Sequence, residues 1–424
     1  MDTALSNRNG LGLESAPRPA EGPCTAADIR EMIGKFGAWL ERAGYAAYDP
    51  YDLSGTRYGK WTRRLYYDRH ALGALMAGQI VLLEIVCPGA RALFVKKNRY
   101  ATAEGQLVLA FLNLHQPALR VPGDWLAKAR DLAEHLLQSS IGGYAGHCWG
   151  YPFDWQHANG LMPKNTPHIT ATPYCFEAFL GLFDATGDER YLEVARSTAR
   201  FVHKNLRDTQ DGPNAAASSY TPNDNSKVVN ASAYRAWVMF EAAARFGVEQ
   251  YAATAWNNLR FILRRQREDG AWMYAIDDPK QAFIDNFHTC FVLKNLYKIN
   301  RRLANPEVAQ AIRRGYAYYR RELFDGEGWP KTFALEPRRP IVRLEMYNIA
   351  EGITLGSLLA DDMAEALPVA LGLAALTRRR FQVREGYFLT RIYRGGIPHK
   401  LPFIRWPQAQ MFYAMTNLLK VMVK

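Results

Sequence analysis

The chain has 424 residues, about half of them apolar, and 10 Trp, 23 Tyr and 20 Phe; this much apolar side chain fills a large core and excludes disorder for the bulk of the chain. Its 53 Lys and Arg against 41 Asp and Glu leave a formal charge of +12. No dense basic block of the nucleic-acid-binding type occurs, so the surplus reads as a diffuse positive field, compatible with an anionic glycan.

Residues 1–24 are polar, rich in Gly, Pro and Ser, and lack the apolar stretch of a secretory signal. They are expected to be a disordered tail, and the protein to be cytoplasmic. Residues 28–44 (DIREMIGKFGAWLERAG) form one amphipathic helix by their three- and four-residue apolar spacing. The most apolar stretch, Ala71 to Val86, holds Gln79 and Glu84 and is shorter than the ~20 residues a bilayer requires. An additional packed helix is expected over 68–86, and no membrane span. Residues 99–115 (RYATAEGQLVLAFLNLH) read as a more uniformly apolar helix.

From there the chain repeats. Amphipathic helices open at Trp125, Tyr191, Tyr251, Val308 and Met363, at intervals of 66, 60, 57 and 55 residues. Each is followed by a short aromatic or Gly-containing turn (HCWGYPFDW, SSYTPND, GAWMYAIDD, GWPKTFALEP, GYFLTRIYR) and then by a helix apolar nearly all round, as a helix covered on both faces should be. The unit is outer helix, turn, inner helix. Residues 28–44 supply a sixth outer helix, residues 99–115 a sixth inner one, and the inner helix at 405–420 is the natural partner of 28–44. The ends then meet in an all-α (α/α)6 toroid, a six-hairpin barrel forming one domain over 25–424 despite a length that suggests two or three. Arg378-Arg379-Arg380, Arg338-Arg339 and Lys96-Lys97 are read as solvated helix faces or ends.

Cys24, Cys87, Cys148, Cys175 and Cys290 are scattered without a CxxC, which argues for reduced thiols. His147-Cys148 and His288/Cys290 are the only Cys/His neighbours and lack a third ligand, so no metal is expected. No phosphate-binding glycine loop occurs, and no cofactor is expected.

The polar residues at the starts of the inner helices and in the turns before them share one end of such a ring. They are His168, Thr170 and Thr172; Asn230 and Ser232; Asp285, Asn286 and His288; Glu345, Asn348 and Glu351; Arg405 and Gln408; and, in the turns, Asp154, Tyr220, Asp224, Asp277 and Asp278. Helix capping alone accounts for residues such as Thr170, Ser232 and Asp278. Asp285 and His288 lie three apart, on one helix face: the carboxylate either orients the imidazole or merely caps the helix. Glu345, Asn348 and Glu351 share a face in the same way. Charges are costly to bury without a purpose, and carboxylates, a His, an Arg and aromatic planes converging on one cleft suit a sugar. Asp285, His288, Glu345, Glu351, Asp154, Asp224 and Tyr220 are the expected catalytic set. Trp149, Tyr151, Trp155, His168, Asn230, Trp272, Tyr274, Asn348, Arg343, Arg405, Trp406 and Gln408 are the expected binding set, with Arg343 and Arg405 suited to grip an acidic sugar substituent bidentately.

The segments CWGYPFDWQ, TGDERYLEVAR, SYTPND with VVNAS, DGAWMYAID, FIDNFHTCFVLKNL and FIRWPQAQMFYAMTNLL resemble bacterial proteins of exopolysaccharide and lipopolysaccharide gene clusters, of the VpsJ type, over roughly residues 30–424. The resemblance implies a six-hairpin toroid in a glycan context and assigns no reaction. More weakly, VVNASAYRAWVMF is similar to the toroid of glucuronyl epimerases, and the general plan to toroidal glycoside hydrolases and polysaccharide lyases. The lyase resemblance implies joint roles for Tyr220, His288, Asn230 and Arg405 at a sugar acid. The expected function is an enzyme acting on an anionic bacterial polysaccharide or its precursor, with glycoside hydrolysis by two of the carboxylates slightly favoured. The alternatives are a uronate C5-epimerase or lyase using Tyr220 or His288 as base, and a non-catalytic glycan-binding or scaffold subunit of polysaccharide assembly machinery.

Overall fold

The computed structural model describes residues 24–336 and 341–424. Of the expected tail only Cys24 falls among them, and it is buried; the remainder of the tail and the Arg338-Arg339 pair lie outside the described residues.

The helices, in chain order, are α1 (Ala26–Ala43), α2 (Arg57–Tyr67), α3 (Ala71–Val86), α4 (Ala101–Leu114), α5 (Trp125–Gln138), α6 (Thr172–Thr186), α7 (Glu189–Lys204), α8 (Val229–Phe246), α9 (Glu249–Arg264), α10 (Asn286–Leu303), α11 (Pro306–Glu322), α12 (Met346–Leu358), α13 (Ala366–Arg380) and α14 (Ala409–Met422). Local sequence sets their ends. Thr25 caps α1 and Asp28 bonds back to the Thr25 backbone, a reciprocal capping box. Asp188 caps α7 and Asn305 caps α11 ahead of Pro306. Gly187 and Gly247 stop α6 and α8 at φ of 70° and 67°, where a residue with a Cβ would be strained.

α1, α5, α7, α9, α11 and α13 form the outer layer, and each buries one stripe, as Ile29, Met32, Ile33, Phe36 and Leu40 do on α1. α4, α6, α8, α10, α12 and α14 form the inner layer. On α8 nearly every residue from Val229 to Phe240 is buried, which is why its sequence shows little polar face. The ring closes: α14 packs between α12 and α4 and against α1. Asn113 on α4 donates to Thr416 (3.2 Å) and Asn417 (2.9 Å) on α14, and Phe412 of α14 meets Phe36 and Phe111 at ring-centroid distances of 4.8 and 6.0 Å. One connected hydrophobic core runs through both layers. Strands among the described residues are two to four residues long and lie in the turns between outer and inner helices. Two of these pairings matter for the cleft. Ile284–Asp285 pairs with Phe333–Leu335, and Val342–Glu345 pairs with Arg391–Tyr393, so Asp285 and Glu345 enter their helices from fixed strands.

The extra helix expected over 68–86 is α3, but it comes with a partner, α2. The two make a hairpin outside the ring. α2 packs on the turn Asp52–Gly55 and on the strand Trp155–His157, which brings the hairpin across the end of the barrel where the inner helices begin. Close approach depends on Gly59 and Gly73: a Cβ on Gly59 would lie 1.8 Å from the Leu53 carbonyl oxygen, and one on Gly73 2.3 Å from the Tyr66 nitrogen. Gly59→Ala is therefore expected to lift α2 off the Asp52–Gly55 turn, at about 1–3 kcal/mol for an overpacked contact. Trypsin should cut within 57–86 roughly ten- to a hundredfold faster, with the unfolding temperature of the ring little changed.

Candidate functional site

The inner-helix N-termini, the turns and the α2–α3 hairpin enclose a cavity of about 1350 Å³. A carboxylate–imidazole pair stands at the start of α10. Asp285 is the N-cap, held by its strand. One carboxylate oxygen accepts the His288 backbone N–H (3.2 Å), and both lie near His288 Nδ1 (2.9 and 2.7 Å). Asp285 is thus both a helix cap and the orienter of an imidazole. With Nδ1–H donated to the carboxylate, Nε2 is left as the acceptor. The ring is gripped by Phe287 and Tyr274 at centroid distances of 4.1 and 4.4 Å and lines the cavity.

Glu345, at the start of α12, also lines it. Its carboxylate accepts from Trp406 Nε1 (3.1 Å) and faces Arg391 Nε (3.2 Å). Burial pushes this carboxyl above the usual carboxylate range despite Arg391. Trp406 stacks on Tyr347 at 3.8 Å, so the indole that binds Glu345 is itself fixed.

Arg405 is placed at the cavity, but its guanidinium is bound side-on by Asp49, through Nε (2.5 Å) and Nη2 (2.7 Å), and its Nη1 donates to the Tyr151 hydroxyl (3.3 Å). Tyr51, Tyr151 and Trp406 flank it within 5.5 Å. The bidentate grip expected for a sugar acid is made with a buried residue of this chain.

His168 lies behind Tyr151, 4.3 Å between ring centroids, and bonds through Thr170 (3.0 Å) to the Tyr220 hydroxyl (2.7 Å from Thr170). Burial, with Arg405 nearby, lowers its pKa to about 3. The unfolded chain therefore takes up this proton first: the contribution is intact above pH 6.5 and falls as pH drops toward 3. At pH 4.5 the loss amounts to about 2–3 kcal/mol. His168→Gln, which keeps a bond to Thr170, is expected to remove that part of the acid sensitivity in urea unfolding compared at pH 7.5 and 4.5. Tyr220 lines the cavity, and burial holds its hydroxyl well above the ordinary phenol range.

The other expected residues divide by position. Trp155, Tyr151, Tyr274 and Trp406 line the cavity. Asp224 does too, but its oxygens accept the Tyr220, Thr221 and Ser226 N–H groups and the Thr221 and Ser226 hydroxyls. Despite its burial these bonds, led by those of Ser226, hold it below the usual range; it builds the turn. Asp154 does not line the cavity; Lys60 (2.8 Å) and the Lys164 N–H (2.9 Å) bind it. Glu351 is fully buried nearly two turns deeper than Glu345, paired with Lys294 at 2.7 Å. Trp149 and Trp272 are buried and donate to the Leu136 and Ile262 carbonyls. Gln408 bridges the backbone of Phe388, and Asn230 and Asn348 are buried in the inner layer. Arg343 is exposed over Trp329. Asp278 caps a short turn at Lys280, as expected, whereas Ser232 accepts from the Ser218 N–H.

Several residues carried no expectation: Asp49, buried behind Arg405, and, lining the cavity, Arg391 beside Glu345 and a wall of phenols that includes Tyr51, Tyr66, Tyr67, Tyr174, Tyr234 and Tyr347. Arg63 of α2 is another. It lines the cavity, donates to the Tyr67 hydroxyl (3.1 Å), lies over Tyr51 at 5.5 Å, and has no carboxylate within ion-pair distance among the described residues. The run RYGKWTRRLYY, alternating arginines with aromatics, was the available signal.

No protein-family model matches the chain, and no curated protein matches it in sequence. Solved structures do match in fold. Cellobiose 2-epimerase from Bacillus thermoamylovorans aligns at a TM-score of 0.59 with 11% identity, over 76% of this chain and 87% of that one. A polysaccharide lyase aligns at 0.55 with 12% identity, over 94% and 97%. The family 76 alpha-mannanase of Bacteroides thetaiotaomicron aligns at 0.56 with 10% identity, over 76% and 86%. The chain is an all-α toroid of the kind these proteins share.

Proposed function

We propose that this protein is a carbohydrate-active enzyme that moves a proton at a carbon of an acidic saccharide, as an epimerase or lyase does. The observation that carries this is the Asp285–His288 pair, with Nδ1 fixed on a buried carboxylate and the imidazole presented to a large aromatic cavity. The fold neighbours named as epimerase and lyase fit the reading. Of the two chemistries weighed from sequence, hydrolysis needs a free pair of carboxylates. Here Asp285 serves His288, Glu345 faces Arg391, Asp224 is enclosed by its turn, and Asp154 and Glu351 lie outside the cavity.

His288 Nε2 takes a proton from the carbon next to a carboxylate or carbonyl of the sugar. The C–H electron pair passes to that group's oxygen as an enolate. Asp285 stabilises the imidazolium that forms. Arg63 is the cation available to the sugar acid. Glu345, whose raised carboxyl favours the protonated form, or a cavity tyrosine returns a proton, either to the opposite face of the carbon or to the leaving glycosidic oxygen. The exopolysaccharide or lipopolysaccharide setting implied by the sequence resemblance supplies acidic glycans of this class.

The test is product analysis on uronate-containing bacterial polysaccharides in deuterated water. Deuterium in intact polymer marks epimerisation, and a new near-ultraviolet absorbance marks elimination; either supports the proposal. New reducing ends without absorbance would establish hydrolysis, with Glu345 as its general acid, and binding without turnover would establish a scaffold; either overturns it.

A further inference from the structure

α3 (ALGALMAGQIVLLEIV) is apolar on every side apart from Gln79 and Glu84. Such a helix is normally covered on every side, and this one is not. Ala77, Ile80 and Val81 line the cavity, whereas Leu75, Leu82 and Val86 are 64%, 60% and 72% exposed. Trp61 on α2, and Leu93 and Phe94 after α3, are 52%, 81% and 58% exposed. Eight of the twelve large exposed apolar side chains among the described residues fall between positions 58 and 94. A patch this concentrated marks a contact surface.

Charge identifies the occupant. The exposed Arg57, Arg64, Lys96 and Lys97 accompany the patch, and none has a carboxylate within ion-pair distance among the described residues. The one exposed acid in the segment, Asp68, is paired with Lys280 at 3.1 Å. A second copy docked symmetrically would set these cations against themselves. At sixteen residues, α3 is about 24 Å long, shorter than the ~30 Å hydrocarbon core, so the helix lies along an interface and does not cross it. Exposed leucines with Trp and Phe, ringed by unpaired Arg and Lys, form the chemistry of a helix seated at an anionic bilayer surface. We propose that the outer face of the α2–α3 hairpin docks on an anionic lipid membrane, so that the element roofing the cavity is also the membrane anchor.

The full chain is floated with vesicles of phosphatidylcholine alone and with vesicles that also contain phosphatidylglycerol. The expected result is binding at least ~10-fold stronger to the anionic vesicles, weakening as salt rises. Leu75→Asp with Leu82→Asp should abolish binding, and Arg57→Glu with Arg64→Glu should remove the preference for anionic lipid. Both substituted pairs are solvent-exposed, so the fold, checked by circular dichroism, should persist. Absence of binding to either vesicle, or binding untouched by the leucine substitutions, would overturn the proposal. So would a concentration-dependent dimer in sedimentation that the leucine substitutions dissolve. The readout is binding without turnover, so it stands or falls apart from the reaction proposed for the cavity.

Discussion

His288→Gln is expected to lower kcat by about 10²–10⁴-fold, the usual worth of a positioned general base, with KM changed little. Glutamine fills most of the space between Phe287 and Tyr274 and can still donate to Asp285, so the expected loss is chemical and not one of packing. Asp285→Asn isolates the second half of the pair. Asparagine caps a helix as well as aspartate does, so α10 should keep its start. An amide, however, cannot stabilise an imidazolium, and it permits the other tautomer of His288. A fall of at least about tenfold in kcat is expected, with KM changed little. A merely structural pair would instead lower the unfolding temperature and leave kcat alone. Single-turnover rates with the unfolding temperature of each variant separate the two cases.

The ring was legible in the sequence because each outer helix repeats one simple physical pattern: a single buried stripe at helical spacing, followed by an aromatic turn and a helix with no polar face. Asp285 and His288 were legible for a related reason. Their spacing of three places them on one face whatever the surrounding tertiary structure. Glu351 was misplaced by the same logic. Three-residue steps drift around the helix, by about 120° from Glu345 to Glu351, and they give no depth along it; nearly two turns from Glu345 the side chain is below the cavity floor. Arg405 was located but not its state, since Asp49, its partner, is 356 positions away in the chain and sits in a connection with no counterpart in the other repeats. Arg63 escaped for that reason too. The hairpin that carries it interrupts the repeat, and a reading organised by repeats assigns no cavity role to an insertion. The functional surface of a ring is completed by what departs from its periodicity.

Below the floor, Lys294 and Glu351 form an ion pair at 2.7 Å, with side chains 7% and 0% exposed. Lys294 also donates to the Tyr174 hydroxyl (3.3 Å), which meets that of Tyr234 (3.0 Å); both tyrosines line the cavity. Although burial alone would lower it, Glu351 holds the lysine above its ordinary pKa, whereas burial raises Glu351 itself. Lys294→Met leaves that carboxyl buried without its cation, and about 3–5 kcal/mol of stability is expected to be lost in denaturant unfolding. The loss should depend on pH in a stated direction. A carboxyl whose folded pKa lies above its unfolded value favours the native state when protonated, so the variant should be weakest near pH 7.5 and recover as the pH falls toward 5. Adding Glu351→Gln removes the charge at every pH and should restore most of the stability, with the pH dependence gone. If the single variant unfolds like the parent, or the double variant is no better than the single one, the pair does not hold up the cavity floor. Glu351 would then regain its claim as a reacting group.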